Sequence, residues 1–127
     1  MTGSEYEIPP IVAHDILQKF RQFVETNKVG SEHTIEAYGE ILTATLVRAY
    51  CPEKQPYCEV EFEDTKYGGL ATFKLDAKTG KLEIVSSDFP YPGEYIIAQK
   101  VLGIPMKQTD DFCISVEHFL HCSKRRW

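Results

Sequence analysis

The chain has 127 residues, 43% of them hydrophobic and 26% charged, which is the composition of an ordinary globule with one core. A formal net charge of -5 makes nucleic acid a poor partner and a cationic protein surface a better one. No stretch reaches the roughly 20 apolar residues of a membrane span. Met1-Thr2-Gly3-Ser4-Glu5-Tyr6-Glu7 has no secretory apolar core, so the expected location is cytoplasmic, or periplasmic or secreted if a leader has been removed.

In chain order, residues 1–8 read as a flexible arm on a single α+β domain spanning 1–127. After Pro9-Pro10, Val12, Ile16, Phe20, Phe23 and Val24 recur at helical spacing, and Asn27-Lys28-Val29-Gly30 reads as the stop, with Gly30 the breaker. Ser31 then caps a second predicted helix with the stripe Ile35, Tyr38, Leu42, Thr45, Leu46 and Ala49. Thr43 and Thr45 also permit a strand there. Residues 51–56 form a linker, and a disulfide between Cys51 and Cys58 would close this short proline-bearing loop readily.

Residues 57–86 carry the clearest pattern. Cys58, Val60 and Phe62 alternate with Glu59, Glu61 and Glu63; Ala71, Phe73 and Leu75 alternate with Thr72 and Lys74; Leu82 and Ile84 continue the apolar set. Glycine-bearing turns at residues 64–69 and 76–81 separate three strands. Side-chain parity sets the register. Pairing Glu63 with Leu70 brings Val60 opposite Phe73, and pairing Asp76 with Lys81 brings Phe73 opposite Ile84. Lys74 then falls between Glu59 and Glu83, each cross-strand ion pair worth ~0.2–1 kcal/mol.

Beyond the meander, Phe89-Pro90-Tyr91-Pro92-Gly93 excludes helix and central strand. Tyr95, Ile96, Ala98, Gln99 and Leu102 predict a short third helix closed by Gly103, and residues 107–109 a loop. Phe112, Val116, Phe119 and Leu120 predict a last helix capped by Thr109, with Asp110 and Asp111 at its start and Lys124, Arg125 and Arg126 at its end. The β-branched residues of Cys113-Ile114-Ser115-Val116 leave a strand open.

The stretch GGLATFKLDAKTGKLEIVSS, residues 68–87, resembles the strand–turn–strand of PepSY-type domains and the corresponding hairpin of immunity proteins with the nuclear-transport-factor-like fold. The resemblance implies a helix-against-sheet architecture and assigns no functional residue. The expected fold is therefore α+β, with helices on one face of a curved antiparallel meander of cystatin-, PepSY- or nuclear-transport-factor-like kind.

Candidates for chemistry are sparse. His118 and Cys122, four apart, would share a helix face as a zinc pair does, with Cys51, Cys58 or Cys113 as further ligands. The spacing matches no zinc module, so no metal and no cofactor is expected. Cys113 near a helix start would be an activated thiolate but for Asp110 and Asp111, which oppose that effect. The four cysteines fit two disulfides or four buried thiols equally. His14 beside Asp15 and His33 beside Glu32 are the acid/base neighbours. Glu59, Glu61 and Glu63 form an acidic stripe that is either a solvated face discouraging edge pairing or a docking surface. Tyr91 lies in an aromatic loop suited to contact.

The expected function is a non-enzymatic protein-binding domain, an inhibitor or immunity-type protein that masks a basic partner through Glu59, Glu61, Glu63 and Tyr91. The alternative is a small-molecule-binding or catalytic cup that uses His, Asp or Tyr in a pocket. Composition and pattern leave the oligomeric state open.

Overall fold

The first strand, β1 (Thr2–Glu7), lies at one edge of a six-stranded antiparallel sheet, and the second, β2 (Glu32–Ala37), lies at the other. Between them the chain runs through helix α1 (Pro10–Thr26). The computed structural model describes residues 2–37, 39–90, 92–110, 113–116 and 119–124, and the side chains of 3–37, 39–90 and 92–106. Strands β3 (Glu40–Tyr50), β4 (Tyr57–Asp64), β5 (Leu70–Asp76) and β6 (Lys81–Ser87) fill the sheet in the order β1-β6-β5-β4-β3-β2. Helix α2 (Gly93–Ile96) runs on into a π-helical turn, Ile97–Val101. A three-stranded sheet follows: β7 (Met106–Asp110), β8 (Cys113–Val116) and β9 (Phe119–Lys124). The class is α+β.

The helix forms where the apolar spacing places it. Pro10 opens it, and Val12, Ala13, Ile16, Leu17, Phe20 and Phe23 are buried. It ends at Thr26, where the Asn27 backbone N–H and side-chain Nδ2 both donate to the Phe23 carbonyl. Gly30 (φ +100°) is not the helix breaker. It lies in the turn beyond and donates its N–H to the Leu46 carbonyl at 2.7 Å, fixing the helix exit to β3. At the other end the Ile8 N–H donates to the Gly80 carbonyl at 2.7 Å. Gly80 has φ +76°, and a Cβ there would run into the Ile8 carbonyl, so this junction requires glycine.

The meander has the register that parity specifies. Phe62 faces Ala71, Val60 faces Phe73, Cys58 faces Leu75, Leu75 faces Leu82, and Phe73 faces Ile84. All of these are buried beneath α1. Cys51 and Cys58 form a disulfide-distance pair with Cα atoms 4.3 Å apart. Arg21 of α1 holds the loop between them, donating to the Gln55 carbonyl at 2.7 Å and the Pro52 carbonyl at 3.4 Å.

Three sequence expectations are corrected. Residues 2–7 are not an arm: they pair with β6 from Thr2↔Ser86 to Glu7↔Lys81, and Tyr6 is fully buried. The pattern is weak because Gly3 and Ser4 carry little hydrophobic signal. The second helix is a hairpin, β2–β3, turning at Gly39 (φ +78°). Leu42, Ala44 and Leu46 line its buried side while β-branched Ile41, Thr43 and Thr45 take the other, a pattern that suits a pleat better than a helix. The short third helix is present where predicted, as a single α-turn plus the π-turn, whose Leu102 N–H reaches back to the Ile97 carbonyl. The last helix and the loop at 107–109 are strands β7–β9. There the β-branched residues prevail, and residues 111–112 and 117–118, at the two connections, lie outside the described set.

Phe73 sits at the centre of the core, edge-on to Phe62 with ring centroids 5.9 Å apart. Phe73→Ala should cost about 3–5 kcal/mol by leaving a cavity, seen as a lower urea midpoint at unchanged slope.

His33 faces inward from β2, its ring 5.3 Å from Phe23 and 5.7 Å from Phe62, with Nε2 2.9 Å from Ser31 Oγ. Burial lowers its pKa below the ordinary 6.5. The unfolded chain therefore takes the proton more readily, so this contribution to stability is whole above pH 6.5 and declines as pH falls below it. Urea unfolding at about pH 7.5 and about pH 5 should show the loss, and His33→Gln should remove that part of the difference.

Candidate functional site

The six-stranded sheet buries one face, against α1 at β4 and β5 and against α2 and the π-turn at β2 and β6, so period-two alternation sends every second side chain to the opposite face. That outer face is polar and open. It carries Glu5 and Glu7 from β1, Lys81 and Glu83 from β6, Thr72, Lys74 and Asp76 from β5, Tyr57, Glu59, Glu61 and Glu63 from β4, and Glu32, Thr34 and Glu36 from β2. Carboxylates outnumber cations on it.

The three glutamates of β4 share this face, as their alternation predicts, but they are not equivalent. Glu63 is exposed, and Glu61 is half-buried and accepts a hydrogen bond from Thr72 Oγ1 at 3.0 Å. Glu59 is only 7% exposed. Its Oε1 meets Arg48 Nη1 at 2.9 Å, and its Oε2 accepts the Tyr57 hydroxyl at 2.9 Å. Arg48 reaches it because a β-bulge between Leu46 and Arg48 shifts the parity of β3 by one. Without that extra residue Arg48 would point into the core. Glu59 is thus a neutralised member of a cross-strand network within the acidic stripe.

Burial, then the hydrogen bond to Glu59 and that carboxylate's charge, push the Tyr57 hydroxyl up to about 12. It remains a donor across the ordinary pH range. Beside it Tyr50 packs at 6.2 Å between ring centroids. Lys81 bridges Glu5 at 3.3 Å and Glu83 at 3.2 Å.

The charges divide along the strands. All three cations of the face, Arg48, Lys74 and Lys81, lie in the half that ends at the Cys51–Cys58 loop. The other half holds Glu32, Glu36 and Glu63, with no Lys or Arg at any strand position there, and Glu61 stands at the boundary, opposite Arg48. Glu32 and Glu63 flank Thr45 in one cross-strand row, and Ile41, 72% exposed, stands opposite Glu36. Glu32 and Glu36 were missed in the sequence because they fell in the predicted second helix. The signal was present all the same: Glu32, Thr34 and Glu36 alternate with His33 and Ile35 as the glutamates of β4 alternate with Val60 and Phe62.

No protein-family model matches the chain, and no match was found among curated proteins or solved structures.

Other candidates separate on inspection. His33 and Glu32 point to opposite faces, so they form no acid/base pair. His14 and Asp15 are exposed on α1 and line a surface concavity of about 330 Å³ with Ile11, Val12 and Gln18. Among the described residues no three His, Cys, Asp or Glu side chains cluster as metal ligands would. Tyr91 and His118 lie outside the described residues, as do the side chains of Cys113 and Cys122. Among the described residues no helix is long and apolar enough to cross a membrane. On the inner side, Ser4, Ser86, Glu94 and Tyr95 are buried, and the Ser4 and Tyr95 hydroxyls are hydrogen-bonded to each other.

Changing Glu59 to Gln removes the charged acceptor from Tyr57 while keeping the shape of the site. The Tyr57 hydroxyl should then ionise below about 12 but still above the ordinary 10, because burial, the largest cause, and the charge of Glu83 remain. Spectrophotometric titration, read as the difference from Tyr57→Phe, measures this. An unchanged ionisation would remove Glu59 as the cause.

Proposed function

We propose that this chain is a non-enzymatic protein-binding domain of inhibitor or immunity type, which masks a partner of basic surface through the outer face of its sheet. The observation that carries the reading is the acidic half of that face: Glu32, Glu36 and Glu63, with exposed Ile41 opposite Glu36 and no Lys or Arg at a strand position among them. Such a surface suits a partner in which Lys or Arg surround an apolar residue. The finer likeness belongs to the same proposal: residues 68–87 resemble the immunity-protein and PepSY hairpins, and one helix on an antiparallel sheet is compatible with a cystatin-, PepSY- or nuclear-transport-factor-like fold. The docking residues favoured now are Glu61 and Glu63, joined by Glu32 and Glu36, with Glu59 as the support beneath them.

A second reading, a ligand-binding or catalytic cup, draws on the buried polar group Ser4, Ser86, Glu94 and Tyr95 at α2. It predicts a small ligand that raises the melting temperature by mass action. The docking reading predicts none.

Affinity capture from the source cells, followed by kinetics with Glu32→Gln/Glu63→Gln, tests the docking reading. Both residues are exposed, so stability should stay within about 0.5 kcal/mol. Association should slow about tenfold at low salt and converge with the parent at high salt. Equal association rates at low salt would leave the acidic half as a solvated surface.

A further inference from the structure

At the opposite end of the outer face, Tyr57, Lys74, Asp76, Lys81 and Glu83 line a concavity of about 280 Å³. Its floor is Lys74, half-buried at the middle of β5. By register this ammonium has a carboxylate on each side, Glu59 on β4 and Glu83 on β6. Both are engaged elsewhere. Glu59 is held by Arg48 and Tyr57, and Glu83 by Lys81. Lys74 makes no hydrogen bond or ion pair among the described residues. A half-buried cation with its natural partners committed is an unusual arrangement for a sheet whose other two cations are both paired.

We propose that this concavity is a binding site for a single carboxylate group, taken by Lys74, with Lys81 beside it already bridging Glu5 and Glu83. The local charge selects the class. One uncommitted ammonium matches a monoanion, whereas Asp76 and Glu83 in the lining would repel a doubly charged phosphate. Tyr57 supplies an apolar wall, and its hydroxyl remains committed to Glu59. The carboxylate comes from an acidic side chain or from a chain terminus. The site goes beyond the docking reading and does not depend on it, since none of its residues belongs to the acidic half.

Lysine side-chain NMR tests the proposal directly. The wild-type chain is titrated with N-acetylglutamate N-methylamide (a side-chain carboxylate), with N-acetylalanine (a terminal one), and with N-acetylglutamine N-methylamide as neutral control, all at matched ionic strength. Saturable shifts of the Lys74 resonance in the millimolar range, absent with the neutral control, are expected, and the tighter of the two acids identifies the source. Exposed Lys54 serves as the internal reference. Lys74→Met should weaken the binding about tenfold, read from Tyr57 ring resonances. Lys74→Gln is the second variant if that one does not fold. A Lys74 shift no larger than that of Lys54, or binding undiminished in a folded Lys74 variant, overturns the site.

Discussion

The architecture depends on one connection. β1 and β2 occupy opposite edges of a six-stranded sheet, so the chain between them must cross it. Five spacings of roughly 4.8 Å set the edges about 24 Å apart, and the 17-residue helix α1 is about 25 Å long. A helix that long spans one face, over β4 and β5, and α2 with the π-turn completes the cover over β2 and β6. Helix α1 is anchored at both ends, at Gly80 on entry and at Leu46 on exit. With its apolar stripe spent on that face, the other is left to solvent, and every strand inherits the same one-sided demand. That is why the register is firm: a slip of one residue anywhere would carry Phe62, Phe73 or Ile84 outward.

The open face then has an electrostatic problem, which a single irregularity resolves in part. Glutamates stand side by side on β4, and Glu59, the most buried, is where an unpaired charge would cost most. The bulge before Arg48 turns that residue from the core to the face, where it meets Glu59. Two consequences follow from this one extra residue. Glu59 ceases to be available to a partner, and Lys74, its cross-strand neighbour, is released. The division of the face into an acidic half and a half bearing all the cations is therefore built into the backbone of β3 as much as into the composition.

The sequence was legible wherever period two was strict and the turns were marked. The meander and its register follow from parity alone, and so does the approach of Cys51 to Cys58, since a short loop closes the strands that flank it. Helix α1 was legible because Val12, Ile16, Phe20 and Phe23 admit no other period. β2–β3 was not, because Leu42, Leu46 and Ala49 fit a helix and Leu42, Ala44 and Leu46 fit a strand; tertiary pairing with β4 decided between them. β1 was hidden by small and polar residues on an edge strand. At the site, alternation identified the face of Glu59, Glu61 and Glu63, but not the burial of Glu59, because a bulge has no signature in a run such as Ala44-Thr45-Leu46-Val47-Arg48.

Charges on strands have an ordinary use, which is to keep sheet edges from pairing with other chains. Glu32 and Glu36 on the edge strand β2 serve that use whatever else they do. The glutamates of β4 do not. β4 is an interior strand, hydrogen-bonded on both sides to β3 and β5, and it presents no edge to guard. Glu63 stands in the same cross-strand row as Glu32, and like charges gathered on one surface lower stability rather than raise it. An interior strand needs polar residues on its wet face, and threonine would meet that need without repulsion, as Thr43, Thr45 and Thr72 do on the neighbouring strands. Edge protection therefore suits the acidic residues of β2, while on β4 Glu59 and Glu61 are held by Arg48, Tyr57 and Thr72 and Glu63 alone stands as an exposed charge that guards no edge.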